Sequence, residues 1–330
     1  PAGARAGAPA GAAPPAPLRP ARLRPGDTVG LIAPANAFHL RSDVELARGL
    51  VEALGLKPKL GPNFTRRYGY LAGRDEERAA DVNALFADPE VKGLLAGQGG
   101  WGCARLLPHL DFELIRRHPK VLMGYSDLTA LLLAVHARTG LVTFHGPNAL
   151  SDWTTFTLDW VRRVLFEGQA PTFANALVED KRLVPRRWRT QVVSPGRATG
   201  RLLGGNLTVL SHLVGTPYLP DFAGCLLFLE DVREDPYRVD RMLTQLGQAG
   251  ILEQARGVVF GTCKDCEPGP GYGALTLEEL LDDHVRPLGV PAYAGAQIGH
   301  IDDQFTVPLG VQAELDAEAG RLRLLEPAVV

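Results

Sequence analysis

The sequence predicts an α/β protein in which an N-terminal domain built on a parallel sheet precedes a smaller C-terminal α+β domain. In the first half, short apolar runs alternate with runs of helical spacing, an order typical of parallel sheets. A length of 330 residues is enough for two domains. A polar stretch at about 152–195 holds three of the four tryptophans and separates the halves. We therefore predict a disordered Ala/Pro-rich tail, an N-terminal domain, a crossover and a C-terminal domain at residues 1–21, 22–155, 156–195 and 196–330.

The composition is ordinary for a globular protein without a polyanionic partner. Hydrophobic residues make up 45% of the chain and charged residues 22%, and the formal net charge is -2, so no nucleic-acid partner is expected. The sequence has no run of about 18 apolar residues, so no membrane span is expected. Basic residues cluster at Arg186, Arg187 and Arg189 around Trp188. We interpret this cluster as a solvated part of the crossover, with a nucleic-acid patch as the alternative.

The first seventeen residues are Pro, Ala and Gly apart from Arg5. Such a segment buries too little apolar surface to offset the entropy of ordering it, so we predict a tail or linker. Removal of an export signal would explain both this composition and the absence of an initial Met, and so would trimming of the chain. We expect an exported, periplasmic protein, with a cytoplasmic location as the alternative.

The elements of the first domain follow from hydrophobic spacing and punctuation. A buried strand precedes a helix that Gly55 ends, a second helix follows, and the next strand leads into a glycine loop at 99–102. Side chains beyond the carboxyl ends of such parallel strands form ligand sites, so this loop is a candidate site element. The predicted bounds are Thr28–Pro34, Ser42–Leu54, Asp75–Asp88 and Val91–Ala96.

Ser126 lies where an apolar strand, 121–124, turns sharply into a helix that ends near Gly140. This layout resembles a nucleophile elbow, in which the turn lifts a hydroxyl above the sheet next to free backbone N–H groups. The usual pattern is G-x-S-x-G, and Leu128 stands at the second glycine. The alternative is that Ser126 caps the helix.

An acid and a histidine follow Ser126 in the order that α/β hydrolases use. Glu230 ends the strand-like run 224–230, and His300 follows Gly299 in the last part of the chain. Taken singly, Glu230 reads as a surface acid at a strand end and His300 as a loop histidine. Catalytic triads are recognised by geometry rather than by order, so the set is a hypothesis at this point.

The second half contains two helices with clear start signals. One begins at Asp235-Pro236, an N-cap followed by a proline at the first helical position. The other spans about Thr276 to Val285, with Glu279 completing a capping box. The predicted core face of the first of these helices consists of Val239, Met242, Leu243 and Leu246.

The four cysteines include a C-x-x-C at Cys263 and Cys266. A zinc site would need a second pair or a nearby H-x-x-x-H, and a redox motif would need a thioredoxin-like setting. We interpret the cysteines as structural or incidental thiols. Asp302 and Asp303 are interpreted as loop acids rather than metal ligands, and neither a metal nor a cofactor is expected.

Several segments resemble the serine LD-carboxypeptidases of peptidase family S66, which also includes the hydrolases that confer immunity to microcin C. The resemblance covers about residues 22–325, in the same order and with similar spacing. In the family, Arg commonly precedes the glycine loop where this chain has Gln98, and a Ser is common where this chain reads Ala33-Pro34-Ala35. The segments that carry the resemblance are 64–110, 120–131, 139–148, 200–220, 228–246 and 298–310.

This resemblance implies that Ser126 is the nucleophile, Glu230 the acid and His300 the base, on a Rossmann-like, amidotransferase-like N-terminal domain. The N–H groups of Asp127 and Gly100 are the candidate oxyanion-hole donors, since one follows the nucleophile and the other lies in the glycine loop. Because the triad spans both halves, the site is expected between the domains. Further candidate substrate contacts are Gly99, Trp101 and Asn206; a tight turn and a turn asparagine are the alternatives for the loop and for Asn206.

The expected activity is a metal-independent serine carboxypeptidase that releases the terminal D-alanine of a murein tetrapeptide, acting as a homodimer in peptidoglycan recycling or remodelling. One alternative is a microcin-type immunity hydrolase that cleaves peptidyl or aminoacyl nucleotides, with Trp101 or Trp153 as the platform for a nucleobase. Another is a non-catalytic binding protein on the same scaffold. His145 is expected either to line the cleft or to be an ordinary buried histidine.

Overall fold

The computed structural model describes residues 17–176, 184, 187–269 and 273–330. Two sheets organise this part of the chain, and one continuous apolar core runs through both. The alternation of apolar runs with helical spacing is thereby realised as a mixed α/β fold, which confirms the predicted class.

The first five strands along the chain belong to one sheet, and most of the later strands belong to the other. They are β1 Thr28–Ile32, β2 Lys57–Leu60, β3 Val91–Ala96, β4 Val121–Gly124, β5 Thr143–His145, β6 Thr172–Ala174, β7 Gln191–Ser194, β8 Arg197–Asn206, β9 Cys225–Val232, β10 Gly257–Lys264, β11 Ala292–Ala294, β12 Val307–Leu309, β13 Gln312–Asp316 and β14 Arg321–Leu324.

The helices connect these strands. They are α1 Arg41–Ala53, α2 Asp75–Ala87, α3 Cys103–Leu106, α4 Phe112–Arg117, α5 Leu128–Thr139, α6 Thr155–Val161, α7 Leu207–His212, α8 Pro236–Gln248 and α9 Leu277–His284. Among the described residues, no helix combines the length and apolarity that crossing a membrane would require.

The first sheet has the order β12-β5-β4-β3-β1-β2. Strands β1 to β5 pair in parallel, so their carboxyl ends meet at one edge. The sixth strand, β12, comes from the segment predicted to belong to the C-terminal domain and pairs antiparallel with β5, placing Val307 opposite His145. This pairing brings the chain segment that carries His300 back to the first sheet.

The second sheet has the order β6-β14-β13-β8-β9-β10-β11-β7. Its centre, β8 to β11, is parallel, and antiparallel strands flank it on both sides. In the register of the central pair, Asn206 at the end of β8 lies opposite Glu230 in β9. Both residues are therefore at the carboxyl edge, where ligands bind in sheets of this kind.

The structure confirms the helices that the spacing predicts. Helix α2 begins at Asp75, as predicted, and α5 ends at Gly140, which adopts a left-handed conformation with φ 75°. The capping box of α9 forms between Thr276 and Glu279. The Asp235 side chain makes no capping hydrogen bond to α8, because its carboxylate turns toward Arg238 instead. The predicted core face of α8 is buried: Val239, Met242, Leu243 and Leu246.

Two predictions about the ends and the cysteines need correction. Residues 17–21 are not a disordered tail, since Leu18 pairs with Leu141 and Pro20 accepts a hydrogen bond from Val330 N–H. The remainder of the predicted tail, like Arg186 of the basic cluster, lies outside the described residues. Cys263 and Cys266 are joined as a disulfide at the end of β10 rather than remaining thiols, because the turn brings their Cα atoms to 5.6 Å.

Candidate active site

Ser126 stands on a strained turn between β4 and α5. Its φ is 66°, a left-handed conformation that side-chain-bearing residues adopt at a cost of about 1–2 kcal/mol. Such strain concentrates at functional sites, where it fixes the direction of a side chain. Leu128, which stands where the usual elbow pattern has its second glycine, packs against Gly124. Its Cγ lies 2.7 Å from where a Cβ on Gly124 would be. The glycine before the serine therefore makes room for the leucine after it.

Ser126, His300 and Glu230 form a continuous hydrogen-bonded chain. His300 Nε2 lies 2.9 Å from Ser126 Oγ, and His300 Nδ1 lies 2.8 Å from Glu230 Oε2. Glu230 is fully buried, whereas the His300 side chain keeps 16% of its surface exposed. The Ser126 hydroxyl thus contacts the imidazole and does not act as a helix cap. The three residues are 174 and 70 positions apart along the chain, yet their side chains meet in one line.

Burial and pairing set the protonation of the two ionisable members. Burial alone would raise the pKa of Glu230, but the charge of His300 and its hydrogen bond outweigh burial and lower that pKa. Burial would lower the pKa of His300, yet Glu230 more than compensates and raises it above its ordinary value of 6.5. The carboxylate therefore stays charged and holds the imidazole in the tautomer that presents Nε2 as an acceptor to the serine.

The glycine loop lies directly against Ser126. A Cβ on Gly99 would come within 3.0 Å of Ser126 Cβ and 3.1 Å of its Oγ, so only glycine leaves the hydroxyl free. Gly100 has φ 117° and packs on the side chain of Asn36. The Asn36 Oδ1 accepts a hydrogen bond from Trp101 N–H at 3.3 Å, which holds the loop in place.

The two predicted oxyanion-hole donors are available. Within the described part of the chain, neither the Asp127 N–H nor the Gly100 N–H donates a hydrogen bond to another group. The Asp127 side chain points away from the cleft and accepts from Cys103 N–H at 2.8 Å, which ties the elbow to α3. Unpaired backbone donors next to a serine hydroxyl are the kind of group that stabilises a developing oxyanion.

Asn206 lies behind the carboxylate rather than in the open cleft. It is buried, its Nδ2 donates to Asp231 Oδ1 at 3.0 Å, and its Oδ1 accepts from Val209 N–H at 3.1 Å as the cap of α7. Its backbone N–H donates to Thr129 Oγ1 at 3.0 Å, linking β8 to α5. The structure thus gives Asn206 bonds that tie β8 to α5 and to Asp231, the residue after Glu230, while a direct contact with substrate stays a prediction.

The other singled-out side chains differ in their access to the cleft. Trp101 is 39% exposed and meets the edge of the His212 ring, so it is accessible to a ligand. Trp153 is partly buried and its Nε1–H donates to Asn148 O at 2.9 Å. His145 is buried and does not line the cleft surface.

The acids that follow His300 fulfil a structural role. The Asp303 carboxylate accepts from Thr154 Oγ1 at 2.6 Å, and the Asp302 carbonyl accepts from Thr157 Oγ1 at 2.7 Å. These bonds anchor the loop that carries His300 to α6. Among the described residues, no cluster of three or more His, Cys, Asp or Glu side chains is arranged to hold a metal ion.

Sequence reasoning missed two residues that orient the site. Asn148 Oδ1 accepts from Tyr125 N–H at 3.3 Å and so supports the elbow. Asp231 accepts from Asn206 on one oxygen and from the Thr208 N–H and hydroxyl on the other. Burial raises the pKa of Asp231 to about 6, and the neighbouring Glu230 adds to that effect. The sequence signal that could have found Asn148 and Asp231 is their position just after apolar, strand-like runs, where ligand sites form in parallel sheets.

His300 and Tyr125, the residue before Ser126, line a cleft of about 340 Å³. Its walls include Tyr125, Ser151, Arg233, Lys264 and His300. Lys264 is shared with a second cleft of about 540 Å³, which also holds the remaining basic cluster at 187–189. Arg187 and Arg189 line this cleft and remain exposed, so they are solvated as predicted.

Two family models match the chain. The N-terminal domain of the LD-carboxypeptidases matches residues 29–146, and their C-terminal domain matches residues 199–315. The first match contains Ser126, and the second contains Glu230 and His300.

Relatives of similar sequence align over most of the chain. The probable murein peptide carboxypeptidase of Bacillus subtilis strain 168 is 41% identical over 296 residues, or 88% of each chain. The murein tetrapeptide carboxypeptidase of Pseudomonas aeruginosa is 35% identical over 279 residues, covering 82% of this chain and 87% of the relative.

Among solved structures, MccF in complex with glutamyl sulfamoyl guanosine superposes with a TM-score of 0.84 at 26% identity, covering 95% of this chain and all of the other. MccF is the microcin C7 self-immunity protein of Escherichia coli. The muramoyltetrapeptide carboxypeptidase from Oxalobacter formigenes superposes with a TM-score of 0.77 at 30% identity, covering 90% of this chain and 97% of the other.

Proposed function

Because the chain belongs to the LD-carboxypeptidase family of peptidases, family S66, we propose that it is a serine carboxypeptidase that releases the terminal D-alanine of murein tetrapeptide. The reaction hydrolyses the L,D-peptide bond, and the role is peptidoglycan recycling or remodelling. The observation that carries the proposal is the unbroken chain of hydrogen bonds from Ser126 through His300 to Glu230.

In the proposed first step, His300 Nε2 takes the proton of Ser126 as Oγ bonds to the substrate carbonyl carbon. The N–H groups of Asp127 and Gly100 stabilise the resulting oxyanion, and Glu230 stabilises the imidazolium. The C–N bond then breaks, and His300 returns its proton to the amine of the departing D-alanine. Water attacks the acyl-enzyme with His300 as base, and the peptide leaves as Ser126 regains its proton.

The choice of substrate follows the relatives. The proteins named as murein peptide and murein tetrapeptide carboxypeptidases are 41% and 35% identical to this chain. The immunity protein has a similar structure at 26% identity, and the exposed Trp101 offers an aromatic surface for a nucleobase. We therefore keep an immunity hydrolase for peptidyl or aminoacyl nucleotides as the second candidate. Assembly as a homodimer stays a prediction.

A competition between the two substrate classes tests the proposal. The protein is incubated with murein tetrapeptide in one reaction and with an aminoacyl-sulfamoyl adenylate in another, and product masses are followed over time. We expect loss of one alanine from the tetrapeptide and little change in the nucleotide analogue. Cleavage of the analogue alone would favour the immunity hydrolase, and cleavage of neither would favour a non-catalytic binding protein.

The rate should depend on pH through the His300–Glu230 pair. Because Glu230 raises the pKa of His300, the imidazole remains protonated and inactive up to a pH above 6.5. We expect kcat/KM to rise with pH through that raised value and to be lost as the pH falls below it. Glu230→Gln removes the negative charge, so the acid limb should move to lower pH while the rate falls.

The measurement is kcat/KM between pH 5 and 9 for the wild type, Glu230→Gln and the control Glu253→Gln, which alters an exposed acid away from the site. The control should keep the wild-type profile. An acid limb at the same pH in wild type and Glu230→Gln would mean that this carboxylate does not govern the base.

A further inference from the structure

His145 is a buried histidine behind the hydrogen-bonded chain, and the proposed mechanism does not use it. It ends β5, pairs with Gly124 just before the elbow, and is 1% exposed. Its ring lies 6.0 Å from the ring of Tyr125 and 5.4 Å from that of Phe228, measured between centroids. Tyr125 precedes the nucleophile and Phe228 lies two residues before Glu230, so His145 packs between the two segments that carry them.

In the part of the chain that the structure describes, buried polar atoms without a hydrogen-bond partner occur at His145, at Glu230 and in the segment that leads into β12. Within the described chain, neither ring nitrogen of His145 has a hydrogen-bond partner, and neither does Glu230 Oε1. One N–H of the Asn206 amide donates to Asp231 Oδ1, and the amide also helps to lower the pKa of Glu230. Thr306 Oγ1 and Gln304 Oε1, from the segment just before β12, are also buried without a partner. Buried polar atoms in native proteins nearly always pair directly or through an ordered water, so these donors and acceptors are candidates for one network.

The ionisable groups near the His145 ring come from three segments. They are Glu230 from β9, His300 from the loop before β12, and the phenol of Tyr125 from the elbow. Burial lowers the pKa of His145 to about 4; Glu230 opposes that effect, and His300 adds to it. His145 is therefore neutral at working pH, with one N–H donor and one acceptor. A neutral donor suits this place, because a second imidazolium beside protonated His300 would oppose the transfer of the serine proton.

We propose that neutral His145 is a positioning residue whose N–H holds Glu230 Oε1 through one buried water, so that Oε2 stays aimed at His300 Nδ1. A fully buried carboxylate with one oxygen unpaired is unstable, and pairing that oxygen keeps Glu230 charged and in place. His145 acts through Glu230 and touches neither the substrate nor the nucleophile. This inference rests on the proposed serine mechanism.

Two substitutions of His145 distinguish a hydrogen-bond donor from a side chain that only fills space in the core. Leu is close to His in volume and has no polar atom, whereas Gln retains an N–H donor. For His145→Leu we expect kcat to fall by about 10- to 100-fold with KM nearly unchanged, since a bond to a charged group is lost. The acid limb should move up by about one pH unit. In the active state His300 is neutral, so the Glu230 charge depends most on the donor from His145. Loss of that donor therefore favours protonated His300 and raises its pKa. His145→Gln should recover most of both changes.

His136→Leu is the matched control. His136 is also buried, lies in α5, and places Nδ1 at 2.9 Å from Leu141 O. Its replacement should lower the thermal stability without moving the acid limb. An acid limb at the wild-type pH in His145→Leu, or no recovery in His145→Gln, would overturn the positioning role.

NMR titration of the imidazole rings, without substrate, separates this inference from the proposed function. In the wild type, His145 should remain neutral from pH 5 to 8, and its N–H signal should shift in Glu230→Gln. An ordinary titration of His145 near pH 6.5, or no response to Glu230→Gln, refutes the positioning role even if His145→Leu fails to fold. A protein that shows both NMR signatures but hydrolyses no murein peptide would retain the network and lose the proposed function.

Discussion

Replacing Ser126 with Ala should lower kcat by about 10⁴- to 10⁶-fold, the loss typical of a serine hydrolase without its nucleophile. The reason is geometric: the Ser126 hydroxyl is the atom that His300 Nε2 contacts, at 2.9 Å. Removal of one oxygen leaves the oxyanion donors and the cleft in place, so substrate affinity should change little. The rate of D-alanine release from murein tetrapeptide is the measurement, with circular dichroism to verify folding.

Ser211→Ala provides the matched control. Ser211 is also buried, and its Oγ donates to Thr208 O at 2.8 Å in α7, away from the cleft. This variant should retain wild-type kcat within about twofold, because among the described residues the Ser211 hydroxyl bonds only the Thr208 carbonyl, and distant sites without shared partners act independently. If Ser126→Ala keeps more than about a tenth of the wild-type rate, another group is the nucleophile.

Substrates without a free terminal carboxylate should be poor by a factor of about 10⁴ in kcat/KM. A carboxypeptidase must recognise that carboxylate, and the cationic side chains of Arg233 and Lys264 line the cleft beside His300. Arg233 also holds a left-handed backbone with φ 56°, a conformation that costs energy and directs its side chain. Donors that the bound substrate shields from water lose their anionic partner when the substrate presents an amide instead.

The comparison uses murein tetrapeptide, its C-terminal amide and the pentapeptide, with kcat/KM measured for each. The tetrapeptide should be preferred over both, because the pentapeptide places its carboxylate one residue beyond the scissile bond. Similar values for all three substrates would contradict an exopeptidase and favour the broader immunity-hydrolase activity. The Ser126→Ala protein serves as the blank for all three reactions.

The elements whose signals are local could be predicted from the sequence. Strand β3 has the predicted bounds, and α2 differs by one residue at its end. Helix α9 begins where its capping box predicts. Hydrophobic periodicity, helix caps and terminating glycines depend on residues only a few positions apart, so they predict helices and strands without knowledge of the tertiary structure. The position of the elbow at Ser126 belongs to the same class, because strand, turn and helix are contiguous there.

The meeting of the three site residues could not be derived from local signals. The order of Ser126, Glu230 and His300 suggested a set, but the distances of 2.9 and 2.8 Å depend on how two sheets pack. The return of β12 to the first sheet brings His300 across, and no pattern around Val307–Leu309 predicts that pairing. The spacing of apolar residues along the chain predicts that a residue is buried, but it does not predict which distant segment packs against that residue.

The environment of single side chains was likewise a matter of tertiary structure. Asn206 could read a substrate or cap a helix from its sequence, and the packing of β8 on β9 turned its amide to Asp231. The C-x-x-C pattern does not distinguish two thiols from the disulfide between Cys263 and Cys266, since the turn geometry decides that. His145 reads as a cleft or core residue until its neighbours Tyr125 and Phe228 are known. Local patterns place a residue on an element, whereas its partners come from segments far along the chain, and their approach is set by the packing of the whole fold.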